Sequence, residues 1–331
     1  MGSNDNFHLG VASAIGSAFS FAMSGPFAKP LMDAGWTPIA AVTARLVGGA
    51  LVMALFATIV HRGWLGEAIR HLKTVAVYGL IPIAGAQLCF FNAVAHLPVG
   101  VALLLQSLAP VLVIGWIWGT TRRRPATLTL VGTALALAGT AAVLDVCCGP
   151  RIDTNGVAWA LATAVCVACY FVLSDRVATD GSALNSVTLA AGGLIAASAV
   201  VVLLDLTGIQ PVAFSTHDAV VAGHSSSFLL PVMVLGVVSA ALAYVLGISS
   251  VARLRPSYAA LLALAEVPFG VLCAWMLLGR AVTAAQAVGG VVALVGLTLA
   301  GRGQRPEVPT AMWTDAVPAD GLADEPPVRA A

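Results

Sequence analysis

One carboxyl group lies well inside a long apolar stretch of this sequence. Glu266 is the single charged residue between positions 256 and 275. Burying an acid in hydrocarbon costs roughly 2.5–3.5 kcal/mol on insertion scales, so such a residue usually faces a cavity, a partner or a transported ion. We therefore predict that Glu266 takes part in the function of the protein.

Three roles, structural or functional, are compatible with an acid at this position. Glu266 could stay protonated and donate to a backbone carbonyl, it could bind an amine group of a substrate, or it could carry a proton. A carboxyl group that titrates when a cavity changes its exposure can couple proton flow to transport. The sequence leaves a functional and a purely structural role both open.

A second charged residue, Arg45, lies in the apolar run 37–60. Its long side chain could extend to the membrane surface. It could instead donate to backbone carbonyls, or bind a substrate carboxylate, which suits the planar guanidinium group. The sequence leaves open whether Arg45 pairs with Glu266.

Weaker candidates are polar side chains in other apolar runs, and some of them should line a shared cavity. Singly, each is compatible with helix–helix hydrogen bonding or with an aromatic residue at the membrane surface. Two mid-run prolines, which bend helices, are candidate hinges. The polar candidates are Gln87, Asn92, Gln106, Ser107, Tyr170, Tyr244 and Tyr258, and the prolines are Pro110 and Pro268.

The composition is that of an integral membrane protein. Hydrophobic residues make up 59% of the 331 residues and charged residues 9%, with a mean hydropathy of +0.95. The net charge of +1 gives no sign of nucleic-acid binding. Cys166 and Cys169 have metal-like spacing but lie in an apolar run without a nearby histidine or acid, so we predict neither a metal site nor a cofactor.

Ten apolar runs are long enough, at about 20 residues, to cross a membrane as helices. We number them spans 1 to 10. Their predicted ranges are 8–28, 37–60, 75–96, 99–118, 126–146, 156–174, 185–206, 228–250, 257–277 and 281–300.

The distribution of basic residues predicts the orientation. Of the sixteen Lys and Arg residues, twelve fall on the side of the two termini, three fall in the opposite loops, and Arg45 is inside a span. The positive-inside rule places both termini in the cytoplasm of a multi-pass plasma-membrane protein. Residues 1–8 are then a short cytoplasmic segment, and the Pro-rich, acidic residues 302–331 are predicted to be a disordered cytoplasmic tail.

The chain repeats itself once. Gly10 matches Gly156, the pair Pro98 and Pro110 matches Pro256 and Pro268, and the glycines at 132 and 139 match those at 289 and 296. This predicts two units of five spans, residues 9–147 and 155–301. An odd number of spans forces the second unit to insert upside down, which is the inverted-repeat architecture of many secondary transporters.

The repeat units resemble the EamA type of the drug/metabolite transporter superfamily. The resemblance rests on Leu97–Ala102 with Ala109 and Pro110, and on Glu266–Pro268 with Trp275–Gly279, and it covers residues 9–301. It implies ten helices and transport of small metabolites, often amino acids, frequently coupled to protons. The sequence departs from the family pattern where Gly279 is followed by Arg280 instead of glutamate.

Together, these features predict an all-α membrane protein that works as a secondary transporter. The expected substrate is an amino acid, a related metabolite or a drug-like compound, exported by alternating access with protons as the coupling ion, and the expected surroundings are lipid. Two alternatives remain: a non-transporting sensor or partner subunit, and an intramembrane enzyme. The enzyme is disfavoured because the spans contain neither a His-Glu-x-x-His nor a Gly-x-Ser-x-Gly motif.

Overall fold

The computed structural model describes residues 2–97, 99–122, 124–143, 153–179, 184–208, 212–221, 223–278 and 283–303. Almost all of them are helical. Several spans are made of consecutive segments, and spans 3 and 8 each contain a π-helical one. Span 1 is Gly2–Ala22 with Ser24–Asp33, span 2 is Pro38–Val60, span 3 is Leu72–Tyr78, Gly79–Gly85 (π) and Ala86–His96, and span 4 is Val99–Gln106 with Ala109–Thr121. Span 5 is Thr127–Val143, span 6 is Thr154–Thr179 and span 7 is Ser186–Leu206. Span 8 is Leu229–Met233, Val234–Leu242 (π) and Ala243–Arg253, span 9 is Pro256–Ala263 with Glu266–Leu278, and span 10 is Ala284–Gly303.

Nine of these spans, within the described residues, are long and apolar enough to cross a membrane, and span 5 is a shorter apolar helix. Large apolar side chains such as Leu51, Leu55 and Ile59 are exposed, as expected where helices face lipid. The predicted all-α membrane fold with ten spans is therefore confirmed.

Most predicted span boundaries differ from the structure by one to six residues, as at the start of span 1, at Gly2, and at the end of span 6, at Thr179. Span 1 does not stop before Lys29 and Pro30, because its second segment runs on to Asp33, where Lys29 and Asp33 form an exposed ion pair one turn apart. Span 10 continues to Gly303, two residues into the predicted tail, since its last turn still packs against Thr129 of span 5. The remainder of the predicted tail, 304–331, lies outside the described residues.

Spans 5 and 10 pack backbone against backbone through glycine. A Cβ atom on Gly132 would lie 2.7 Å from the carbonyl oxygen of Gly296, and one on Gly139 would lie 2.6 Å from that of Gly289. The repeat makes Gly132 equivalent to Gly289 and Gly139 equivalent to Gly296, so each copy offers the other the same contact. This reciprocity is that of a two-fold axis relating the repeats.

The same two-fold relation holds at the outer helices. Gly10 of span 1 abuts Leu254 after span 8, where a Cβ atom would lie 2.8 Å from Leu254 Cγ. Its equivalent, Gly156 of span 6, abuts Leu97 after span 3 at 2.6 Å. Because Leu97 and Leu254 are themselves equivalent, each repeat packs its first helix on the third helix of the other. The helices that surround the centre thus come alternately from the two halves of the chain.

Spans 4 and 9 are interrupted at matching places. The first half of span 4 ends at Gln106, four residues before Pro110, and the first half of span 9 ends next to Leu264, four residues before Pro268. Proline has no backbone N–H to donate to the carbonyl four residues earlier in a helix, and its ring crowds that carbonyl. The two prolines therefore explain both interruptions, and they make Glu266 the first residue of a half-helix.

The connection between spans 7 and 8 forms a small hairpin at the end of the bundle opposite the termini. Its strands Ala219–Val221 and His224–Ser226 pair antiparallel. Trp36 Nε1, between spans 1 and 2, donates to Ser215 O at 2.6 Å, and the side chain of Val221 packs into the apolar cluster around Trp36. The hairpin is thereby attached to the adjoining ends of spans 1 and 2.

A buried carboxylate joins the repeats at the other end of the bundle. We call this end the basic end, because it contains the loops that are rich in Lys and Arg and are predicted to be cytoplasmic. Glu67, on the short helix Trp64–Arg70, is 8% exposed. It accepts hydrogen bonds from Thr188 Oγ1 and from Asn185 N, both at 2.6 Å, and its Oε2 lies 2.8 Å from His61 Nε2. Burial raises the pKa of this carboxyl, but these hydrogen bonds outweigh burial and the pKa is lower than usual.

The lowered pKa of Glu67 predicts how stability depends on pH. A group whose pKa is lowered by folding stabilises the protein above its unfolded-state pKa, and this contribution is lost as the pH falls through the folded-state pKa. We expect Glu67→Gln to lower the free energy of unfolding by about 1–3 kcal/mol at neutral pH, because an amide NH₂ cannot accept from Asn185 or Thr188. The difference from wild type should shrink as the pH falls below the ordinary glutamate pKa of about 4.3 and through the lower pKa of folded Glu67.

Thermal melting of the detergent-solubilised protein across this pH range checks the prediction. The matched control is Asp33→Asn, since Asp33 belongs to an exposed ion pair with Lys29 and should contribute little. A Glu67→Gln protein that melts with wild type at neutral pH would show that the bridge does not stabilise the fold.

Candidate functional site

Arg45 is buried between spans 1, 2 and 8 and does not extend to the membrane surface. Its side chain is 7% exposed, its Nη2 donates to Ser239 O at 2.9 Å, and its guanidinium carbon lies 5.6 Å from the centre of the Phe21 ring. Its Nε and the Ser239 hydroxyl are both buried without a hydrogen-bond partner among the described residues. Of the three arrangements open from the sequence, a bond to a carbonyl is the one observed, with donor capacity left over.

The carbonyl that accepts from Arg45 belongs to a π-helical segment. Ser239 lies in Val234–Leu242, and the equivalent segment of the first repeat, Gly79–Gly85, is also π-helical. Widened turns of this kind shift the regular hydrogen-bond pattern and are frequent at functional sites. Ser239 can therefore offer its carbonyl oxygen to a side chain of another span.

Glu266 is partly buried at the start of the second half of span 9. The two side chains interact electrostatically without forming a direct ion pair, and both interact with Tyr244 of span 8. Glu266 makes no hydrogen bond with the described residues. The guanidinium and the carboxyl group therefore influence each other without touching, in buried surroundings that strengthen electrostatic interactions.

Two other predicted residues join this cluster, and they approach it from the first repeat and from span 6. Gln87 of span 3 interacts with Tyr244, and the repeat makes these two positions equivalent, so they face each other across the two-fold axis. The rings of Tyr170 and Tyr244 are 6.0 Å apart. The structure thus brings together five predicted residues, Arg45, Gln87, Tyr170, Tyr244 and Glu266, which we call the central cluster.

The structure does not bring four other candidates into this cluster. Asn92 Nδ2 donates to Leu88 O at 2.8 Å and Ser107 Oγ to Leu103 O at 2.8 Å, so both are bonded within their own helices. Tyr258 lies at the basic end, stacked on Phe7 with ring centres 5.9 Å apart. Gln106 is partly exposed at the break of span 4 and makes no hydrogen bond with the described residues. Pro110 and Pro268 lie just after the two breaks.

Sequence reasoning missed two residues that extend the cluster. Tyr78 of span 3 is fully buried, its ring centre is 5.9 Å from that of Tyr170, and its hydroxyl lies 2.7 Å from Ser174 Oγ of span 6. A tyrosine near a predicted span end is normally an interfacial residue. The one feature of the sequence that could have indicated them is that spans 3, 6 and 8 each carry polar residues in the half nearer the basic end.

Only one of the two repeat-related interfaces is charged. Counting along the repeat, Arg45 corresponds to Leu189, Ser239 to Pro82 and Glu266 to Leu108. Leu189 is completely buried, and its surroundings are apolar. The fold of the repeat therefore does not require Arg45 or Glu266. The energetic cost of burying charged groups arises in only one of the two equivalent interfaces.

No group of three or more His, Cys, Asp or Glu side chains among the described residues is arranged to hold a metal ion. Cys166 and Cys169 are unpaired cysteines on span 6.

An inverted repeat with interrupted helices and a polar cluster where the halves meet defines a membrane protein of transporter type. The chain belongs to the EamA-like transporter family. The sequence model of that family matches twice, at residues 8–144 and at residues 154–302, which together span nearly all of the described chain. The predicted family is therefore confirmed, and its members are transporters and not enzymes.

The comparison with solved structures supports the fold. One crystal structure of a protein matches with a TM-score of 0.70 and covers 91% of this chain and 98% of the other, at 20% sequence identity. At that identity the match shows the fold alone. No curated protein matches the sequence.

Proposed function

We propose that this protein is a secondary transporter that exports a small metabolite across the plasma membrane by alternating access, coupled to protons. The observation that carries the proposal is the central cluster: a guanidinium with unused donors and a nearby unpaired carboxyl group, placed where two inverted repeats meet. Substrate sites of inverted-repeat transporters lie at such interfaces. The two interrupted helices next to the cluster supply points at which each half can bend.

The chemistry of the cluster suggests the kind of substrate. Arg45 can bind a carboxylate through its remaining N–H donors. Glu266 can accept from an ammonium or hydroxyl group, and the rings of Phe21 and Tyr244, 5.1 Å apart, provide an apolar surface beside both. An amino acid, a related metabolite or a drug-like compound carrying both polar groups fits this arrangement.

Proton coupling rests on Glu266. It is the acid of the central cluster, it is partly accessible, and its interaction with Arg45 is electrostatic without direct contact. Binding and release of a proton would change the charge next to Arg45, and so the affinity for a substrate anion. The excess of basic residues on the side of the termini supports a cytoplasmic location for both, and in this proposal the basic end is the cytoplasmic one.

Flux through purified protein in lipid vesicles tests the proposal. A panel of labelled amino acids and amphipathic drugs is offered with and without a pH gradient, and we expect at least one compound to be transported faster when the gradient is present. The control is Arg45→Leu, which should reduce flux of that compound by at least about tenfold, since a lost charged hydrogen bond of about 1.5 kcal/mol corresponds to that factor. A protein that moves none of the panel under either condition would favour the sensor alternative.

A further inference from the structure

Three tyrosines, two of which belong to the central cluster, form a layer between Arg45 and the basic end. Tyr78, Tyr170 and Tyr244 come from three different spans and their rings form a chain, with centres 5.9 and 6.0 Å apart. Each lies six to nine residues from the basic end of its span, which is roughly 9–14 Å at the rise of a helix. All three are at most 7% exposed.

On the other side of this layer is a pocket. It has a volume of about 420 Å³ and is formed at the basic end by the adjoining ends of spans 6, 7 and 8. Its lining residues include Ser174, Asn185 and Ser186, with Ile248 and Ala252 opposite. Ser174 is the link between pocket and tyrosines, because its hydroxyl is hydrogen-bonded to Tyr78. Ser174 and the contacts among the three tyrosine rings thus connect the pocket to Arg45, which interacts with Tyr244.

The two ends of the bundle are packed differently around this line. At the basic end, the halves Ala109–Thr121 of span 4 and Pro256–Ala263 of span 9 contact each other across the repeats. Towards the opposite end, the half Val99–Gln106 packs on span 6 and the half Glu266–Leu278 packs on span 1. Polar residues of this region, including Glu266 and Gln87, are partly exposed. The barrier in this conformation is therefore on the basic-end side of the cluster.

The tyrosine layer is built for rearrangement. The Tyr170 hydroxyl is buried without a hydrogen-bond partner among the described residues, which is unusual in a folded protein. It fits against span 8 because residue 247 is glycine: a Cβ there would overlap the hydroxyl and would also lie 2.9 Å from Ser17 Oγ. Across the layer, the Tyr78–Ser174 bond joins the first repeat to the second. One hydrogen bond across the tyrosine layer, beside a phenol without a hydrogen-bond partner among the described residues, is the arrangement expected of a closed gate.

We propose that Tyr78, Tyr170 and Tyr244, held by Ser174, form the gate that closes the basic-end half of the transport path, and that the pocket beside Ser174 is the vestibule leading to it. This gate rests on the proposed transport function. Tyr78 and Ser174 lie outside the central cluster, whereas Tyr170 and Tyr244 belong to it and have the gate as a second role. Opening requires the Tyr78–Ser174 bond to break and the rings to separate. Substrate in the vestibule then meets Arg45 and Glu266.

Accessibility of a cysteine at position 87 tests the gate without any substrate. In a variant with all six native cysteines replaced by alanine, Gln87→Cys is labelled by a membrane-impermeant maleimide applied to either face of vesicles. The variant Arg62→Cys, at a position that is exposed at the basic end, identifies the faces. Tyr78→Phe keeps the ring and removes the bond, and we expect labelling from the basic end to accelerate roughly fivefold, the shift that one net hydrogen bond produces.

Ser174→Ala should give the same acceleration, and the double variant no more than either alone, because both changes remove one interaction. The matched control is Thr120→Ala, which removes a hydroxyl bonded only within its own helix and should leave labelling unchanged. Equal acceleration from both faces, additive effects, or no effect of Tyr78→Phe would overturn the gate. Since labelling needs no transport, such a result would leave the flux experiment and the proposed function standing.

Discussion

Replacing Glu266 by glutamine should abolish gradient-driven accumulation of the substrate while leaving exchange of labelled for unlabelled substrate in place. Glutamine has the shape of glutamate and can still accept a hydrogen bond, but it cannot carry a proton. In vesicles with a gradient of about one pH unit, exchange of one proton per substrate supports about a tenfold concentration ratio of substrate. The reason is that one pH unit and a tenfold concentration ratio both correspond to about 1.4 kcal/mol. The ratio reached by the variant should be about one.

The measurement is the steady-state concentration ratio in vesicles, followed by exchange at equal concentrations. Asp205→Asn is the matched control: Asp205 is a carboxylate at the end of span 7 that accepts from Thr43 Oγ1 at 2.7 Å and lies outside the central cluster. We expect this variant to accumulate substrate as wild type does. Undiminished accumulation by Glu266→Gln would exclude Glu266 as the proton carrier and leave it a ligand or a structural residue.

Enlarging Gly139 should disrupt the packing of spans 5 and 10. A Cβ atom at this position would lie 2.6 Å from Gly289 O and 2.7 Å from Ala293 Cα, and both are backbone atoms that cannot turn aside. Gly139→Ala is expected to lower the free energy of unfolding by about 1–3 kcal/mol. Gly139→Leu should prevent the protein from accumulating in folded form, because helices that approach this closely tolerate only small residues.

Melting temperature and the monodisperse fraction after solubilisation measure both effects. Gly115 provides the matched control, since it is also a glycine inside a membrane span but has open space where a Cβ would lie. Gly115→Ala and Gly115→Leu should be neutral or slightly stabilising, because glycine is a poor helix former. If Gly139→Leu were as stable as Gly115→Leu, the two-fold contact would not be a determinant of the fold.

The architecture was largely predictable because its determinants are local or periodic. A span is recognised from about 20 consecutive apolar residues, and the repeat is recognised from glycines and prolines that recur at a constant offset. The errors were local as well. Pro30 was taken to end span 1, whereas the helix continues past it, and the interruption of span 9 was anticipated only as a bend at Pro268. Proline indicates where a helix is weakened, but packing decides whether it stops.

The candidate site was predictable only in part. Glu266 and Arg45 could be identified because charge in an apolar run is costly wherever it occurs. Asn92 and Ser107 looked equally promising, yet each is satisfied by a carbonyl of its own helix. Whether a polar side chain faces its own backbone or a neighbouring helix depends on rotation of the helix, which a nearly uniform apolar sequence does not determine.

By itself, then, the sequence determined that this is a ten-span membrane protein with two inverted repeats and a costly acid in one of them. Only the tertiary structure decided what surrounds that acid. Arg45 meets Ser239 across 194 residues, Thr188 meets Glu67 across 121, and Ser174 meets Tyr78 across 96. Such partners are brought together by the packing of helices from both repeats, and no local spacing encodes the distance between residues so far apart in the chain.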